Sequence, residues 1–257
     1  MAEKTFEDLL KSFLEKPDEF KMMIEDQTYS LNYNSPWIKL MALPSSILAG
    51  FYVYPSKLEL DFSDRHSTQF HWYRGKMPSS NREEQIEWEE IGTGFSFVTR
   101  SEDIGYKIKL KALPTSADGK RVGPVVEAIA KNEVEAGPGY CPFECRHLFT
   151  EERLEGDKFR VCSYNILADY YADTEDGRTK LFNYCPQYAI DIDYRKQLMI
   201  KELVGYNADI FCLQEVDFKV FDFDLIPFLG EQCSMHGVHN KKGTTPEGLV
   251  TFFRTDR

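Results

Sequence analysis

The chain has 257 residues, 42% of them hydrophobic, and a formal net charge of −11. Its length and hydrophobic content predict a globular protein of more than one domain, and no apolar run approaches the roughly 18 residues that cross a bilayer. The acidic balance argues against nonspecific wrapping of duplex nucleic acid, which relies on many Lys and Arg contacts to phosphate. We therefore expect neither membrane association nor DNA-specific binding.

The first 18 residues predict a short amphipathic helix. Thr5 and Asp8 resemble a capping box, and Pro17 ends the pattern. Apolar residues recur between these points at helical spacing, at Phe6, Leu9, Leu10, Phe13 and Leu14. Such an apolar stripe docks more commonly on the body of its own protein than on a partner.

Residues 19–140 predict a β-rich domain, because apolar residues alternate with polar ones. The alternating groups are Phe20/Met22/Ile24, Tyr29/Leu31/Tyr33, Leu58/Leu60/Phe62, Phe70/Trp72 and Ile104/Tyr106/Ile108/Leu110. Trp72 and the tight corner before the last group are reminiscent of an immunoglobulin-like β-sandwich. Lys107, Lys109 and Lys111 predict a solvated sheet face. An RNA-contacting stripe is the alternative, although no aromatic residues interleave with these lysines for base stacking.

Residues 141–157 predict a linker, and residues 158–257 predict an α/β domain in which strands alternate with helices. Ile192, Met199 and Leu203 fall on one helical face, which a glycine follows. The other predicted elements are strands over 159–167, 210–213 and 249–253 and a short helix over 222–229.

The six cysteines are scattered along the chain, which predicts free thiols in a reducing compartment. Cys141, Cys145 and His147 lie close enough in sequence to suggest zinc. A CxxxC pair with one His and no second ligand pair is a weak zinc signal, however, so buried thiols are the favoured interpretation.

Two of the predicted strands end in polar residues that packing does not require. The first carries SYNILAD at 163–169, and the second carries FCLQEVD at 211–217. Functional sites gather at the ends of strands in layered α/β domains. A carboxylate beside an amide suits Mg²⁺, which takes oxygen ligands and usually only one or two protein carboxylates. Taken singly, each strand end is more simply an ordinary turn.

In this order the two motifs resemble the opening motifs of the endonuclease/exonuclease/phosphatase superfamily. Residues 48–51, 70–73, 134–139 and 147–150 resemble the accessory domain of its mitochondrial 2′,5′-phosphodiesterase branch. The resemblance implies an α+β/α/β protein, with a β-sandwich-like N-terminal domain followed by the first half of a four-layer α/β-sandwich catalytic domain.

The resemblance also implies an activity and the residues that carry it. The family hydrolyses 2′,5′-oligoadenylate, and shortens poly(A) RNA from the 3′ end, releasing 5′-AMP with Mg²⁺ as cofactor. Glu215 would bind the catalytic Mg²⁺, and Asn165 would hydrogen-bond around the scissile phosphate and the metal shell. Gln214 and Asp217 are expected in supporting or surface roles, and Asp169 as a cap of a turn or helix.

The chain departs from the family pattern at its end. The family continues with a His-containing strand, an Asp-x-Asn motif and a Ser-Asp-His motif, and the five histidines of this chain lie outside any such motif. The resemblance therefore implies a chain that stops within the catalytic domain. We expect this polypeptide alone to be inactive, because water activation and further metal contacts are missing together.

Two further points follow as expectations. The alternative function is a non-catalytic RNA- or protein-binding module made from the β domain. The resemblance implies the mitochondrial matrix, whereas the acidic first residues do not form a presequence, so the cytoplasm is the alternative location.

Overall fold

The computed structural model describes residues 7, 11–13, 21–30 and 34–256. Most of the helix predicted for residues 1–18 lies outside these residues, and residues 7 and 11–13 are helical. The described chain is a mixed α/β protein with several β-sheets. None of its described helices is long and apolar enough to span a bilayer.

The N-terminal part of the chain is built from short antiparallel strands. They are β1 (Lys21–Ile24), β2 (Gln27–Ser30), β3 (Trp37–Ala42), β4 (Tyr52–Val53), β5 (Lys57–Asp61), β6 (Gln69–Gly75), β7 (Glu89–Thr93), β8 (Phe97–Val98), β9 (Lys107–Leu113) and β10 (Val126–Ile129). The largest sheet has the order β10-β9-β6-β7, and the pairs β1-β2, β3-β5 and β4-β8 form smaller sheets. Two 3₁₀ turns are Glu83–Gln85 and Ser101–Asp103. We call this part, residues 21–135, the β half.

The core of the β half forms from the alternating apolar residues of β6 and β9. Phe70, Trp72, Ile108 and Leu110 are buried there. The indole Nε1 of Trp72 donates a hydrogen bond to the carbonyl oxygen of Gly94 at 2.8 Å, so its polar atom is satisfied although the ring is buried. The prediction of alternating strands is confirmed for these residues, and the sandwich layering stays a prediction.

The last predicted strand begins later than its apolar pattern suggested. Ile104 is exposed, and β9 begins only at Lys107. Gly105 has φ +79°, a conformation that ends the preceding 3₁₀ turn and that glycine adopts without strain.

The lysines of β9 do not form a solvated face, so that prediction is wrong. Lys107 and Lys109 are buried, and only Lys111 is half-buried. The Nζ of Lys109 lies 4.4 Å from the ring centroid of Trp88 and 5.5 Å from that of Tyr73. Aromatic residues therefore do interleave with these lysines. The sequence hid this because the two rings come from β6 and from the segment before β7, far along the chain.

The C-terminal part alternates strands and helices. Its strands are β11 (Val161–Asn165), β12 (Ile210–Asp217), β13 (Met235–Lys241) and β14 (Glu247–Arg254). Its helices are α1 (Pro142–His147), α2 (Asp169–Ala172), α3 (Gln187–Ile190), α4 (Ile192–Gly205) and α5 (Phe218–Val220), with π-helical segments Gly177–Leu181 and Phe221–Gln232. The sheet order is β11-β12-β14-β13, in which β11 and β12 are parallel and the other pairs are antiparallel. We call residues 142–256 the α/β half.

Helix α4 connects the two parallel strands and covers one face of the sheet. Met199 and Leu203 are buried in the same cluster as Phe211 and Leu213 of β12, as the helical pattern predicted. The segment expected to be an irregular linker contains α1, which packs against α4: Arg146 of α1 forms an ion pair with Glu202 at 2.6 Å.

The other face of this sheet is open in the described structure. Val161, Val238, Leu249 and Phe253 lie on it, and between 41% and 56% of each residue is exposed. Their positions in the strand pairing place all four on the face opposite α4.

Candidate active site

The polar strand ends expected to carry chemistry lie side by side. The parallel register of β11 and β12 pairs Asn165 with Gln214, next to Glu215. The Nδ2 of Asn165 donates a hydrogen bond to Oε1 of Glu215 at 2.7 Å. The structure therefore brings the two predicted site residues into direct contact, and their catalytic and metal-binding roles stay predictions.

A β-bulge directs Glu215 to this position. Leu213 pairs with Val250 and Val216 pairs with Gly248, so two residues of β12 lie opposite one residue of β14. Glu215, the second of the two, has φ +53°, an uncommon conformation for a residue with a side chain. Strand alternation fails at this point, because the bulge turns the carboxylate toward the end of β11.

The turn after β11 holds the amide of Asn165. Its Oδ1 accepts a hydrogen bond from the backbone N–H of Leu167 at 2.9 Å. Leu167 also has a positive φ, +59°. With its oxygen held by the turn and its nitrogen donating to Glu215, the amide has a fixed orientation.

The residues flanking the pair support the strand ends. Asp217 is only 3% exposed, so of the two expected roles, supporting or surface, the structure excludes the surface one. Its Oδ2 accepts a hydrogen bond from the backbone N–H of Asp169 at 2.6 Å, and burial raises the pKa of the Asp217 carboxyl. Asp217 thus binds the first turn of α2, the task expected of Asp169. The carboxylate of Asp169 instead lies 2.6 Å from Nζ of Lys219. The side chain of Gln214 bonds to the carbonyl of Cys212 at 2.7 Å.

Arg195 of α4 also reaches this strand end, and the sequence-based reasoning missed it. Its guanidinium donates to the carbonyl of Leu167 at 2.9 Å. A signal was present in the sequence. Arg195 lies three residues after Ile192 and four before Met199, so a charged residue interrupts the apolar stripe of the helix, and a buried charge requires partners.

The donor set at the strand ends fits a hard divalent cation. Asn165 is exposed and Glu215 half-buried, so solvent reaches the pair. Only one carboxylate oxygen of Glu215 takes part in the bond to Asn165, and Mg²⁺ commonly uses one or two protein carboxylates and completes its shell with water and phosphate. Within the described residues, no three His, Cys, Asp or Glu side chains form a metal-binding group.

The residues considered for zinc are engaged elsewhere. Cys141 is buried, Cys145 is exposed and contacts the hydroxyl of Tyr140, and Nε2 of His147 lies 3.0 Å from the carbonyl oxygen of Glu202. Burial raises the pKa of the Cys141 thiol, which disfavours the thiolate that zinc requires.

Comparison with known proteins connects both halves to phosphodiesterases. Residues 35–135 match the family model described as "2',5'-phosphodiesterase 12-like, N-terminal domain". The chain is 42% identical over 249 residues to 2′,5′-phosphodiesterase 12 of Rattus norvegicus, a match that covers 92% of this chain and 40% of that protein. The same protein of Homo sapiens is also 42% identical, with the same coverage.

More distant relatives carry exoribonuclease or phosphatase names. "CCR4-Not complex 3'-5'-exoribonuclease subunit Ccr4" of Schizosaccharomyces pombe is 38% identical over 113 residues, which is 39% of this chain and 15% of that protein. The solved structure of ANGEL2, described as a 2′,3′-cyclic phosphatase, aligns with TM-score 0.35 and 27% identity over 38% of this chain and 27% of that chain.

These matches confirm the resemblance to the 2′,5′-phosphodiesterase branch and, through the relatives' names, to hydrolases. The chain spans about two fifths of the length of the phosphodiesterases that it matches, 40% in each case.

Proposed function

We infer that this chain, which resembles 2′,5′-phosphodiesterase 12 along most of its length, supplies residues of a Mg²⁺-dependent phosphodiesterase site. The observation that carries this proposal is the contact between Asn165 and Glu215 at the ends of two parallel strands. Ligand sites of α/β sheets occur at the carboxyl ends of their strands, and the pair combines an amide with an accessible carboxylate there.

Each residue has a defined task in this proposal. Glu215 would hold the Mg²⁺ ion, and Asn165 fixes the carboxylate of Glu215 through its 2.7 Å hydrogen bond. The chemistry that Mg²⁺ would supply there is Lewis-acid polarisation of a phosphoryl oxygen. The turn at Leu167 keeps the amide facing the carboxylate, so the geometry exists before substrate arrives.

The proposed substrates are adenylate chains. The names of the relatives, a 2′,5′-phosphodiesterase and a 3′–5′ exoribonuclease, support hydrolysis of 2′,5′ linkages and of RNA from its 3′ end. The choice of 2′,5′-oligoadenylate and poly(A) RNA as substrates, with 5′-AMP as product, rests on the family resemblance alone. The mitochondrial matrix is the proposed location, on the resemblance alone.

A second candidate function is an RNA-binding module in the β half that performs no catalysis. It is favoured by one observation: Lys109 and Lys111 lie beside Tyr73 and Trp88 on one sheet face. Single-stranded RNA binding typically combines aromatic and basic side chains on one sheet face, and Lys111, Tyr73 and Trp88 are half-buried here, so solvent reaches part of each.

The variant Glu215→Gln tests the enzymatic proposal in the natural protein that carries this sequence. We expect Mg²⁺-dependent release of AMP from 2′,5′-oligoadenylate to fall by about 10²–10³-fold, the range for losing one preorganised electrostatic contact. Glu175→Gln is the matched control, because it makes the same chemical change at an exposed residue outside the site, and it should leave the rate unchanged.

Removal of Mg²⁺ by chelation should abolish the activity, and added Mg²⁺ should restore it. Full activity in Glu215→Gln would overturn the proposal. RNA binding that persists in a wild-type protein unable to release AMP would favour the second candidate.

A further inference from the structure

We propose that Arg195 is a positioning residue that keeps Asn165 and Glu215 in register at the strand ends. This inference rests on the proposed function, since it assigns the device that holds the proposed site together. Arg195 lies in the first turn of α4, and its side chain is only 16% exposed. A charged group so enclosed must find several partners within the protein.

The first set of contacts holds the turn that follows Asn165. Nε of Arg195 donates to the carbonyl of Ile190 at 2.7 Å, which anchors the guanidinium to the end of α3. Its NH1 group donates to the carbonyl of Leu167 at 2.9 Å and, at 3.4 Å, to that of Ile166. One guanidinium therefore binds the backbone carbonyls of the two residues that follow Asn165.

The turn needs such support because it is strained. Leu167 has φ +59°, a conformation that persists in a residue with a side chain only where its surroundings hold it. Two bonds hold Leu167 from opposite sides: its carbonyl accepts from Arg195, and its N–H donates to Oδ1 of Asn165. Loosening the first bond therefore frees the amide that faces Glu215.

A second set of contacts extends from Arg195 to the end of β12. Its NH2 group lies 3.7 Å from Oδ1 of Asp169. The N–H of Asp169 donates to Oδ2 of Asp217 at 2.6 Å, and Asp217 is two residues beyond Glu215. Lys219, two residues beyond Asp217, also contacts Asp169, at 2.6 Å. Helix α4 thus contacts the ends of both β11 and β12 through a continuous set of polar contacts.

Lysine cannot replace arginine in this arrangement. The planar guanidinium presents donors in several fixed directions, whereas the ammonium group of lysine is a single compact charge. At the position of Arg195 two nitrogens donate to Ile190 and Leu167, while the third lies at an ion-pair distance of 3.7 Å from Asp169 and makes no hydrogen bond with any described residue. The conservative variant Arg195→Lys therefore keeps the charge and most of the volume and loses the simultaneous contacts.

The matched control is Arg254, a second buried arginine, which lies in β14 of the sheet that α4 covers. Arg254 is 5% exposed, bonds to Oδ1 of Asn207 at 2.8 Å and lies 3.4 Å from Asp209. Those partners lie at the opposite end of β12 from Glu215. Arg254→Lys thus makes the same chemical change at a buried arginine without touching the proposed site.

The experiment compares the two variants in the natural protein that carries this sequence, with activity and with amide hydrogen exchange. In Arg195→Lys we expect kcat to fall about 10–100-fold with KM nearly unchanged, the effect of losing a residue that orients a metal-binding group. The amides of Leu167 and Asp169 should exchange faster than in wild type. Arg254→Lys should leave kcat and both exchange rates unchanged.

The two readouts separate this inference from the proposed function. If exchange at Leu167 is the same in Arg195→Lys and in wild type, Arg195 does not position the turn, whatever the activity shows. If exchange speeds up and kcat does not fall although Glu215→Gln is inactive, the turn does not govern the site and the inference is wrong. A fully active Glu215→Gln variant overturns the proposed function instead, and the inference that depends on it.

Discussion

Two buried lysines of β9, on the same face and two residues apart, differ in how many hydrogen bonds their ammonium groups make. Nζ of Lys107 donates to Oε1 of Glu83 at 2.7 Å, to the carbonyl of Lys131 at 2.9 Å and to that of Ala130 at 3.3 Å, which uses all three of its protons. Lys109 has the rings of Tyr73 and Trp88 and a carboxylate oxygen of Glu127 3.6 Å away. Burial lowers the pKa of Lys109.

We therefore expect Lys107→Met and Lys109→Met to differ in the free energy of unfolding. Lys107→Met should destabilise the protein by about 1–3 kcal/mol, because two carbonyl groups lose their donor. Lys109→Met should change stability by less than about 1 kcal/mol or increase it, since it removes a charge that burial disfavours. Urea unfolding measures both, and equal losses in the two variants would contradict the assignment.

The pH dependence of Lys109→Met has a defined sign. The folded state lowers the pKa of Lys109 below its ordinary 10.5, so the protonated lysine costs stability below the folded pKa. Any advantage of the methionine variant is therefore fully present at neutral pH and disappears as the pH rises to 10.5. An advantage that grows with pH would mean that the charge of Lys109 stabilises the fold.

At the residue scale, the sequence predicted which side chains meet but not how they are aimed. The two polar segments were found because each ends an apolar strand and strand ends of one sheet meet, and the family resemblance selected Asn165 and Glu215 within them. The bulge that turns Glu215 could not be found, because it depends on the pairing of β12 with β14, which lies much later in the chain. The role of Arg195 likewise depends on a turn in another element.

Helix α4 is one of the elements that join the two halves, together with the segment Phe221–Gln232, where Asp224 accepts a hydrogen bond from Tyr54. Met199 and Leu203 cover the sheet, while Gln197 faces the β half. Oε1 of Gln197 accepts from the N–H of Leu48 at 2.9 Å, and its Nε2 donates to the carbonyl of Ser46 at 3.0 Å. The side chain is buried, so both backbone groups depend on it.

Gln197→Leu should therefore destabilise the whole chain by about 2–4 kcal/mol, because two enclosed backbone groups lose their partners while the volume is kept. Differential scanning calorimetry measures the loss. Gln85→Leu, at an exposed residue, is the matched control and should change stability by less than about 0.5 kcal/mol. Similar effects of the two substitutions would show that Gln197 does not join the halves.

Elements with a clear apolar period were predictable, and elements without one were not. Helix α4 and strands β6 and β9 have buried residues at the expected spacing. Strand β7 was not predicted, because it has one apolar residue, Ile91, and so shows no alternation; none of its residues is fully buried. A short helix was expected at 222–229, and the structure has a longer π-helical segment, Phe221–Gln232. Pro227 lies inside this segment, and because proline usually interrupts a helix, the longer element was not expected.

At the scale of the whole molecule, the open face of the α/β sheet is an exposed apolar surface. Its apolar residues form part of a continuous sheet face, whereas single exposed apolar residues are ordinary. We therefore expect the isolated 257-residue chain to self-associate at concentrations between about 1 µM and 1 mM.

The double variant Leu249→Ser/Phe253→Ser should weaken this association, because both side chains are exposed on β14 and make little contribution to the core. Analytical ultracentrifugation measures the change. Ile24→Ser, an exposed residue of β1 outside the sheet, is the control and should leave the association as it is. A wild-type chain that stays monomeric over the whole range would contradict the expectation.

Trp72, buried in the core of the β half and bonded to Gly94, gives that half its own fluorescence signal in solution. All three tryptophans, Trp37, Trp72 and Trp88, belong to that half, and the α/β half has none. Indole fluorescence excited at long wavelength therefore reports the environment of the β half alone, while helical circular dichroism reports mainly α4 and its neighbours. The two optical signals give a simple measure of whether the halves unfold together.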